Sequence, residues 1–422
     1  MIKTILPLLF CFTAMAFAAD PHAGHGGAGG AKTDRKSEQG VVSLDVAADG
    51  DRVHLLLGTR STGKSSALTY LTSRDGGETW SDPIVVGAGQ PAPEPAHRGM
   101  DAQIAARGDR VVAVWTTEGK EDRFGRGPMA SAFSADGGKT WRAGPNPADD
   151  GSAAGHAFID VAADDQGTFH LVWLDGREAA PTPAAILASS TTRPNAGKGL
   201  RYARSTDGGA TWSANATIDP QTCECCWNTL LTAPGGRIYV LYRDAFPRDM
   251  ALARSDDAGL TWSKPTPVGA FGWDVAACPH VGGGLALGDD PGDLFATVWT
   301  AKDNDEHGAY TLNSRDAGAM WTAPRQLGNS ASWHTDLSFA GDHLVAAWDA
   351  YVEGGSAVFE SSSDNGGGTW TSPRRLSSTN VSATHPRVVA TSSGARVFWT
   401  ERESGKESRW TSKKVIFVRT EK

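Results

Sequence analysis

The sequence lacks three features, and each absence argues against one kind of protein. After its N-terminus it has no apolar run long enough to cross a bilayer, so we expect no membrane span. It has no apparent helical segment, which favours a chain made of strands. Its formal charge of −8 and its pI near 5.8 argue against nucleic acid or an anionic membrane as a partner.

Glycine and tryptophan are abundant instead, with 50 and 15 copies respectively, and they recur in one short phrase. The phrase S-x-D-x-G-x-T-W is typical of a tight turn in which the Asp accepts backbone hydrogen bonds, the Gly takes an unusual backbone angle and the Trp is buried. We therefore predict a structural role for its Asp residues. The six are Asp75, Asp136, Asp207, Asp257, Asp316 and Asp364, the last with one extra residue before its Trp.

This phrase resembles the Asp box, or bacterial neuraminidase repeat, of the sialidase superfamily. The resemblance implies an all-β β-propeller of four-stranded blades. Seven repeating units can be counted, with closing strands expected at Arg409–Lys413 and Val415–Val418. Seven blades are therefore favoured over six, within a single domain over residues 40–422. In such a blade the innermost strand comes first, so ligands are expected at the channel mouth, opposite the Asp boxes.

The N-terminus is predicted to be removed. Residues 1–18 combine Lys3, an apolar run and an Ala16-Phe17-Ala18 cleavage site, which is typical of a signal peptide cleaved near Ala18. Residues 19–39 are rich in Gly and contain two His, and we expect a flexible leader. The mature protein is thus predicted to be periplasmic or secreted, and we expect a monomer.

Cysteine and histidine are concentrated just before the innermost strands. Neutral imidazole binds copper or zinc, and thiolate prefers softer ions such as copper(I) or zinc, so one hypothesis is a transition-metal or redox site shared between blades. Disulfides are an alternative for the cysteines, and unreactive thiols are another. The candidate metal ligands are Cys223, Cys225, Cys226, Cys278, His280, His156 and His334.

The resemblance to sialidases implies a different site. Sialidases hold the substrate carboxylate with three Arg, and Arg177, Arg243 and Arg402 follow second strands in three of the units. They add a Tyr nucleophile, a Glu and an acid/base Asp, for which the candidates are Tyr351, Glu353 and Asp101. The F/Y-R-I-P phrase that carries the first Arg of that family is missing from this sequence.

Three functions therefore remain open. The first is a sialidase-like glycoside hydrolase, or a protein that binds a glycan or another small anionic ligand. The second is a copper- or zinc-binding or redox protein. The third is a propeller that docks another protein without catalysis. The sequence does not decide whether the protein is an enzyme.

Overall fold

Short strands joined by tight turns follow one another along the chain. A computed structural model describes residues 39–62, 66–94, 98–120, 126–177, 198–245, 247–273, 279–302, 306–415 and 417. The strands form seven antiparallel sheets, each with its strands in sequence order. The structure is thus an all-β propeller of seven blades, as the repeat count favoured. No helix in the described part of the chain is long and apolar enough to cross a membrane.

The first four blades run from the innermost strand outward. They contain β1–β4 (Gly40–Asp49, Arg52–Arg60, Ala67–Ser73, Ile84–Val86), β5–β8 (Gln103–Arg107, Arg110–Glu118, Arg126–Ser134, Arg142–Gly144), β9–β12 (His156–Ala163, Phe169–Asp175, Lys198–Ser205, Ala216–Thr222) and β13–β16 (Thr229–Ala233, Arg237–Arg243, Met250–Ser255, Thr266–Val268).

The last three blades follow the same plan. They contain β17–β20 (Gly284–Leu287, Leu294–Thr300, Gly308–Ser314, Arg325–Leu327), β21–β24 (Ser332–Ala340, His343–Val352, Gly355–Ser363, Arg374–Arg375) and β25–β27 (Val381–Thr391, Gly394–Glu403, Arg409–Val415). In the described residues the seventh blade has three strands. β27 covers the first predicted closing strand and continues to Val415, where the second was predicted to begin. Of the remainder of that second strand, only Phe417 lies within the described residues.

Blade stacking explains the burial pattern of the second strands. Every residue of β10 and β18 is buried, because both faces of a blade pack against neighbouring blades and neither faces water. One apolar cluster, for example, joins Leu56 and Tyr70 of the first blade to Val111 and Trp115 of the second. Such packing removes the apolar surface of each blade from water.

The ring closes between the seventh blade and the first. Each innermost strand contacts the next one, and β25 contacts β1. Val41 N donates to Ser408 O at 2.9 Å, and Ser408 N donates to Gln39 O at 3.0 Å. The first residues of the domain are therefore bonded to the last blade.

The turns formed by the six repeated phrases, called box turns below, connect the third and fourth strands of their blades. The second blade shows the hydrogen bonds that hold such a turn. Asp136 accepts hydrogen bonds from Thr140 N at 2.9 Å, Thr140 Oγ1 at 2.6 Å and Ser134 Oγ at 2.8 Å. Trp141 Nε1 donates to Gly138 O at 3.0 Å. The hydrogen bonds from Thr140 and Ser134 hold the pKa of Asp136 low, at about 2.

The sixth turn corrects the predicted alignment. Asn365, and not Asp364, occupies the Asp position, since its Oδ1 accepts from Thr369 N at 2.9 Å and from Ser363 Oγ at 3.0 Å. Its Nδ2 donates to Thr369 Oγ1 at 2.8 Å. The phrase therefore starts one residue later, at Ser363, and has regular spacing with no extra residue.

Each of these turns also receives a hydrogen bond from the preceding blade. A side chain of one blade donates to a backbone carbonyl in the box turn of the next. The pairs are Tyr70 to Gly137, Arg110 to Thr206, Tyr202 to Ala258, Arg254 to Ala317, Asn313 to Gly366 and Arg396 to Gly76. The box turns thus connect neighbouring blades.

Candidate functional site

A pocket opens at the channel mouth, where the residues around the starts of the innermost strands converge. It encloses about 390 Å³, including its open entrance. Blades two, three, four, six and seven contribute to it. The lining residues are Arg98, Gly99, Asp101, Gln103, Ile159, Trp227, Asn228, His334, Thr335, His385, Pro386 and Arg387.

Two histidines stack at one side of this pocket. The rings of His334 and His385 are 3.5 Å apart and nearly parallel. His334 Nδ1 donates to Asp349 Oδ2 at 2.7 Å. Asp349 also accepts from Thr384 Oγ1 at 2.5 Å and from His385 N at 2.8 Å. Burial raises the pKa of Asp349, but His334 and these hydrogen bonds outweigh it and lower the pKa overall.

Two residues that line the pocket carry carboxamide oxygens without hydrogen-bond partners. Gln103 Nε2 donates to Asp101 O at 3.1 Å and Asn228 Nδ2 donates to Phe158 O at 2.7 Å, so the orientation of each amide is set. The oxygens, Gln103 Oε1 and Asn228 Oδ1, are buried and accept no hydrogen bond. Buried acceptors of this kind are costly unless a ligand or water satisfies them.

Carboxyl groups lie below the pocket on the innermost strands. Each accepts a backbone N–H from a neighbouring innermost strand at 2.6–2.8 Å. The pairs are Asp45 with Ile104, Asp160 with Leu230 and Asp336 with Val388. Burial raises the pKa of all three, and raises that of Asp160 to about 7.

Two guanidinium groups share this region with the carboxyl groups. Arg387 Nη2 donates to Asp45 Oδ1 at 2.9 Å. Arg98 Nε donates to Asp101 Oδ1 at 2.8 Å, and Arg98 Nη1 donates to Thr400 Oγ1 at 2.9 Å. Both guanidinium groups are thus held by the protein itself.

A second site lies in the loop between β12 and β13, where three cysteines are each 1% exposed. Cys223 Sγ is 3.5 Å from Cys225 Sγ and 3.8 Å from Cys226 Sγ. A disulfide requires about 2.05 Å, so Cys223 forms none with these two neighbours. Their hydrogen bonds lower the pKa of Cys223, whereas burial raises the pKa of Cys226 to about 12.

Two guanidinium groups contact these sulfurs. Arg243 Nη1 is 3.5 Å from Cys226 Sγ and 3.7 Å from Cys223 Sγ, and Arg248 Nη2 is 3.6 Å from Cys223 Sγ. Arg243 lies flat on the ring of Trp273, 3.4 Å from its centroid. The cation–π contact and the sulfur contacts place Arg243 in the protein interior.

A third group surrounds His156, which is fully buried at the start of β9. His156 Nε2 is 3.4 Å from Asp175 Oδ2 and 3.5 Å from Asp150 Oδ2. Arg177 Nη2 is 2.9 Å from Asp175 Oδ2, and Arg177 Nη1 is 2.9 Å from Asp149 Oδ1. Burial raises the pKa of Asp175, but His156 and Arg177 outweigh it and hold it well below its usual range.

The structure does not bring the three predicted substrate-binding Arg together. Arg177 is paired with carboxylates on the third blade, and Arg243 is 1% exposed beneath the cysteine loop. Arg402 is exposed on β26 of the seventh blade. A carboxylate clamp needs guanidinium groups that converge on one ligand, and these three do not converge.

The predicted catalytic residues are also dispersed. Tyr351 is 51% exposed, near the end of β22, and its pKa is raised, chiefly by burial of its hydroxyl end. Glu353 is exposed in the following turn, and no hydrogen bond joins the two within the described residues. Asp101 lines the pocket, but its carboxylate accepts from Leu44 N at 2.9 Å and from Arg98. An activated Tyr–Glu pair is therefore not present.

The predicted metal ligands separate into three groups. The cysteines form one, His334 with Asp349 and His385 forms another, and His156 with its two carboxylates forms the third. His280 belongs to none of them and lies 6.0 Å from the ring of Phe158. Cys278 lies outside the described residues. The described residues of the predicted ligand set therefore do not converge on a single ion.

Sequence reasoning did not identify several pocket residues as ligand-binding. Gln103, Trp227, Asn228 and Arg387 all line the mouth. A signal was available in the innermost strands. Asp45, Gln103, Asp160 and Arg387 each stand directly before an apolar pair, and Asp336 stands directly before Leu337. A comparison of that position between the repeats would have identified these residues as candidates for the channel mouth.

No protein-family model matches the chain, and no curated protein matches it. Solved structures do match. A PL25 ulvan lyase is 10% identical with a TM-score of 0.57, over 90% of this chain and 94% of that chain. The Hadza microbial sialidase Hz136 is 17% identical with a TM-score of 0.47, over 83% and 74%. YCF48 bound to D1 peptide is 14% identical with a TM-score of 0.48, over 91% and 94%. The match to the lyase shows a shared fold.

Proposed function

We propose that this propeller binds a carbohydrate at its channel mouth, through hydrogen-bond acceptors that receive sugar hydroxyl groups. The observation that carries the proposal is the pair of buried oxygens, Gln103 Oε1 and Asn228 Oδ1, which have no donor and belong to residues that line the pocket. The imidazole of His334 lines the same pocket. A ligand rich in hydroxyl groups would supply the donors that the two oxygens lack.

Trp227 supplies the apolar contact that sugars need. Its ring is partly exposed and lines the pocket, and it lies 5.6 Å from the ring of His334 and 5.9 Å from that of His385. An amphipathic aromatic ring can cover the C–H face of a sugar while the polar groups bind its hydroxyls. Solved structures with this fold include sialidases and a lyase bound to a polysaccharide, which is compatible with a glycan at the mouth.

The charges favour an uncharged or amino sugar over an acidic one. Two guanidinium groups, those of Arg98 and Arg387, lie close to four carboxyl groups in and below the pocket. The carboxyl groups are those of Asp45, Asp101, Asp160 and Asp336. Both guanidinium groups are already bonded to these carboxyl groups. A sugar carboxylate would therefore meet like charge without a converging clamp. This proposal departs from the acidic glycan expected from the resemblance to sialidases.

The test is binding of the full chain to a glycan array that carries neutral, amino, sialylated and uronic-acid sugars, followed by calorimetry on the best ligand. Trp227→Leu and Gln103→Leu should each weaken binding about tenfold, since each removes a contact of roughly 1–1.5 kcal/mol. Trp262→Leu is the matched control, because Trp262 belongs to a box turn on the opposite face. Its affinity should equal that of the unmodified protein.

Two results would contradict the proposal. One is a preference for sialylated or uronic-acid sugars over neutral and amino sugars. The other is equal affinity in the Trp227→Leu and Trp262→Leu variants, because binding would then occur away from the channel mouth.

A further inference from the structure

The cysteine loop contains three cysteines that have no role in the proposed carbohydrate binding. Its three cysteines lie between β12 and β13, and the loop is tied to the neighbouring strand, since Cys223 N donates to Arg243 O at 3.0 Å. Thr222 is fully buried beside them and donates through Oγ1 to Lys198 O at 2.8 Å. The backbone that presents the sulfurs is thus held on both sides.

The sulfur positions suit a metal–thiolate complex. All three Sγ atoms lie within 4.8 Å of one another, and two of the separations are 3.5 and 3.8 Å. With a metal–sulfur bond of about 2.3 Å, sulfurs are about 3.8 Å apart in a tetrahedral complex and about 4 Å apart in a planar complex of three sulfurs. Small shifts of side chains would therefore admit an ion.

Two guanidinium groups lie beside these buried sulfurs and partly offset the cost of burying them as thiolates. Arg243 and Arg248 direct N–H groups at Cys223 Sγ and Cys226 Sγ, at 3.5 to 3.7 Å. Arg243 cannot swing away easily, because it stacks on Trp273 and its Nε donates to Arg248 O at 2.8 Å. Hydrogen bonds from such second-layer groups orient metal ligands and tune their affinity.

We infer that Cys223, Cys225 and Cys226 bind one thiophilic metal ion, copper(I) or zinc(II), as thiolates. Each thiol gives up its proton when the ion binds, so three protons are released and no electron is transferred. Copper(I) accepts three sulfur ligands, whereas structural zinc(II) is almost always bound by four ligands, so a set of three thiolates favours copper(I) over zinc(II).

This site is separate from the proposed carbohydrate site, although both use the segment between β12 and β13. The cysteines and the two Arg do not line the channel-mouth pocket, whereas Trp227 and Asn228, which follow Cys226 directly, do. The binding of a sugar and of a metal can therefore be measured and can fail separately.

The first experiment uses the full, reduced chain without oxygen, loaded with copper(I) in one sample and zinc(II) in another. After removal of weakly bound ion, we expect about one equivalent of copper(I), the favoured metal, to remain bound per protein chain. X-ray absorption at the metal edge should show at least three sulfur neighbours at about 2.3 Å. A shell of nitrogen and oxygen only, as leader histidines would supply, or no retained metal, would overturn the inference.

The second experiment uses variants. Cys223→Ser and Cys226→Ser should each lower the affinity at least tenfold against a competing chelator, because each removes one of three ligands. Thr222→Ser is the matched control, since it trims a buried neighbour at the end of β12 and leaves every sulfur in place. Unchanged affinity in both Cys variants would contradict the inference. If a Cys variant does not fold, the absorption spectrum of the unmodified protein still decides between sulfur and other ligands.

Discussion

Single residues in this protein show how burial and hydrogen bonding set opposite charge states for the same side chain. Asp136 lies in an exposed turn, and donors from Thr140 and Ser134 stabilise its carboxylate. Asp160 is 9% exposed on an innermost strand, and there burial outweighs the backbone donors and Arg387. The first is therefore ionised throughout the neutral range, whereas the second is partly protonated near pH 7.

The raised pKa of Asp160 predicts a dependence of stability on pH. The folded protein holds this proton up to about pH 7, whereas the unfolded chain releases it near pH 4. The contribution of Asp160 to the free energy of unfolding should therefore fall as the pH rises from about 4 to about 7, and should then level off. Asp45 and Asp336 contribute with the same sign.

Urea unfolding at pH 5 and at pH 8 measures this effect. Asp160→Asn cannot titrate, so its stability should fall less than that of the unmodified protein between the two pH values. Equal losses in the two proteins would show that Asp160 does not carry the raised pKa.

At the scale of elements, box turns and neighbouring blades are joined by buried polar groups. In the third blade, Tyr202 of β11 is 2.7 Å from His170 Nδ1 and donates to Ala258 O in the next blade at 3.2 Å. Its ring packs edge-on against Trp262, with centroids 5.1 Å apart. One side chain thus links two strands of its own blade to the next box turn.

Tyr202→Phe tests this link. The change keeps the ring but leaves His170 Nδ1 buried without its partner, so we expect a loss of about 1–3 kcal/mol in the free energy of unfolding. Chemical denaturation measures it. Tyr351→Phe is the control, because Tyr351 is 51% exposed and its stability should change by less than about 0.5 kcal/mol. Similar values for the two variants would contradict a role in joining the blades.

At the scale of the whole molecule, the ring holds only if its last blade is bonded to its first. Arg396 of β26 donates through Nε to Gly76 O at 2.7 Å and through Nη2 to Glu78 Oε1 at 2.5 Å. It is 6% exposed, and these partners lie in the first box turn. Arg396 therefore makes, between the last blade and the first, the same kind of hydrogen bond to a box turn that joins the other neighbouring blades.

Arg396→Met removes the guanidinium group and keeps the aliphatic part. We expect the free energy of unfolding to fall by about 2 kcal/mol, since the lost bonds include charge-assisted ones and one carbonyl is left unpaired. Arg402→Met is the control, because Arg402 lies on the same strand but is exposed. It should change the free energy of unfolding little. Thermal and urea unfolding of both variants measure the difference, and equal stability would contradict a role in closure.

The sequence by itself determined the fold, because repeated local chemistry specified it. Each box turn is built from side chains within eight consecutive residues, and alternating apolar residues specify the strands around it. Seven blades were predicted and are confirmed. Local pattern still misplaced the sixth turn, since Asp364 and Asn365 are adjacent and only the hydrogen bonds show which one accepts from Thr369.

Only the tertiary structure decided what lies together at the channel mouth. Gln103, Asn228 and His334 come from three blades and meet because the ring closes, which no spacing in the sequence records. Arg177, Arg243 and Arg402 have similar places in their repeats, yet Arg177 pairs with carboxylates, Arg243 contacts Trp273 and Arg402 is exposed, so equal positions did not produce one clamp. The cysteine cluster was visible as C-x-C-C, whereas its two guanidinium neighbours were supplied by packing.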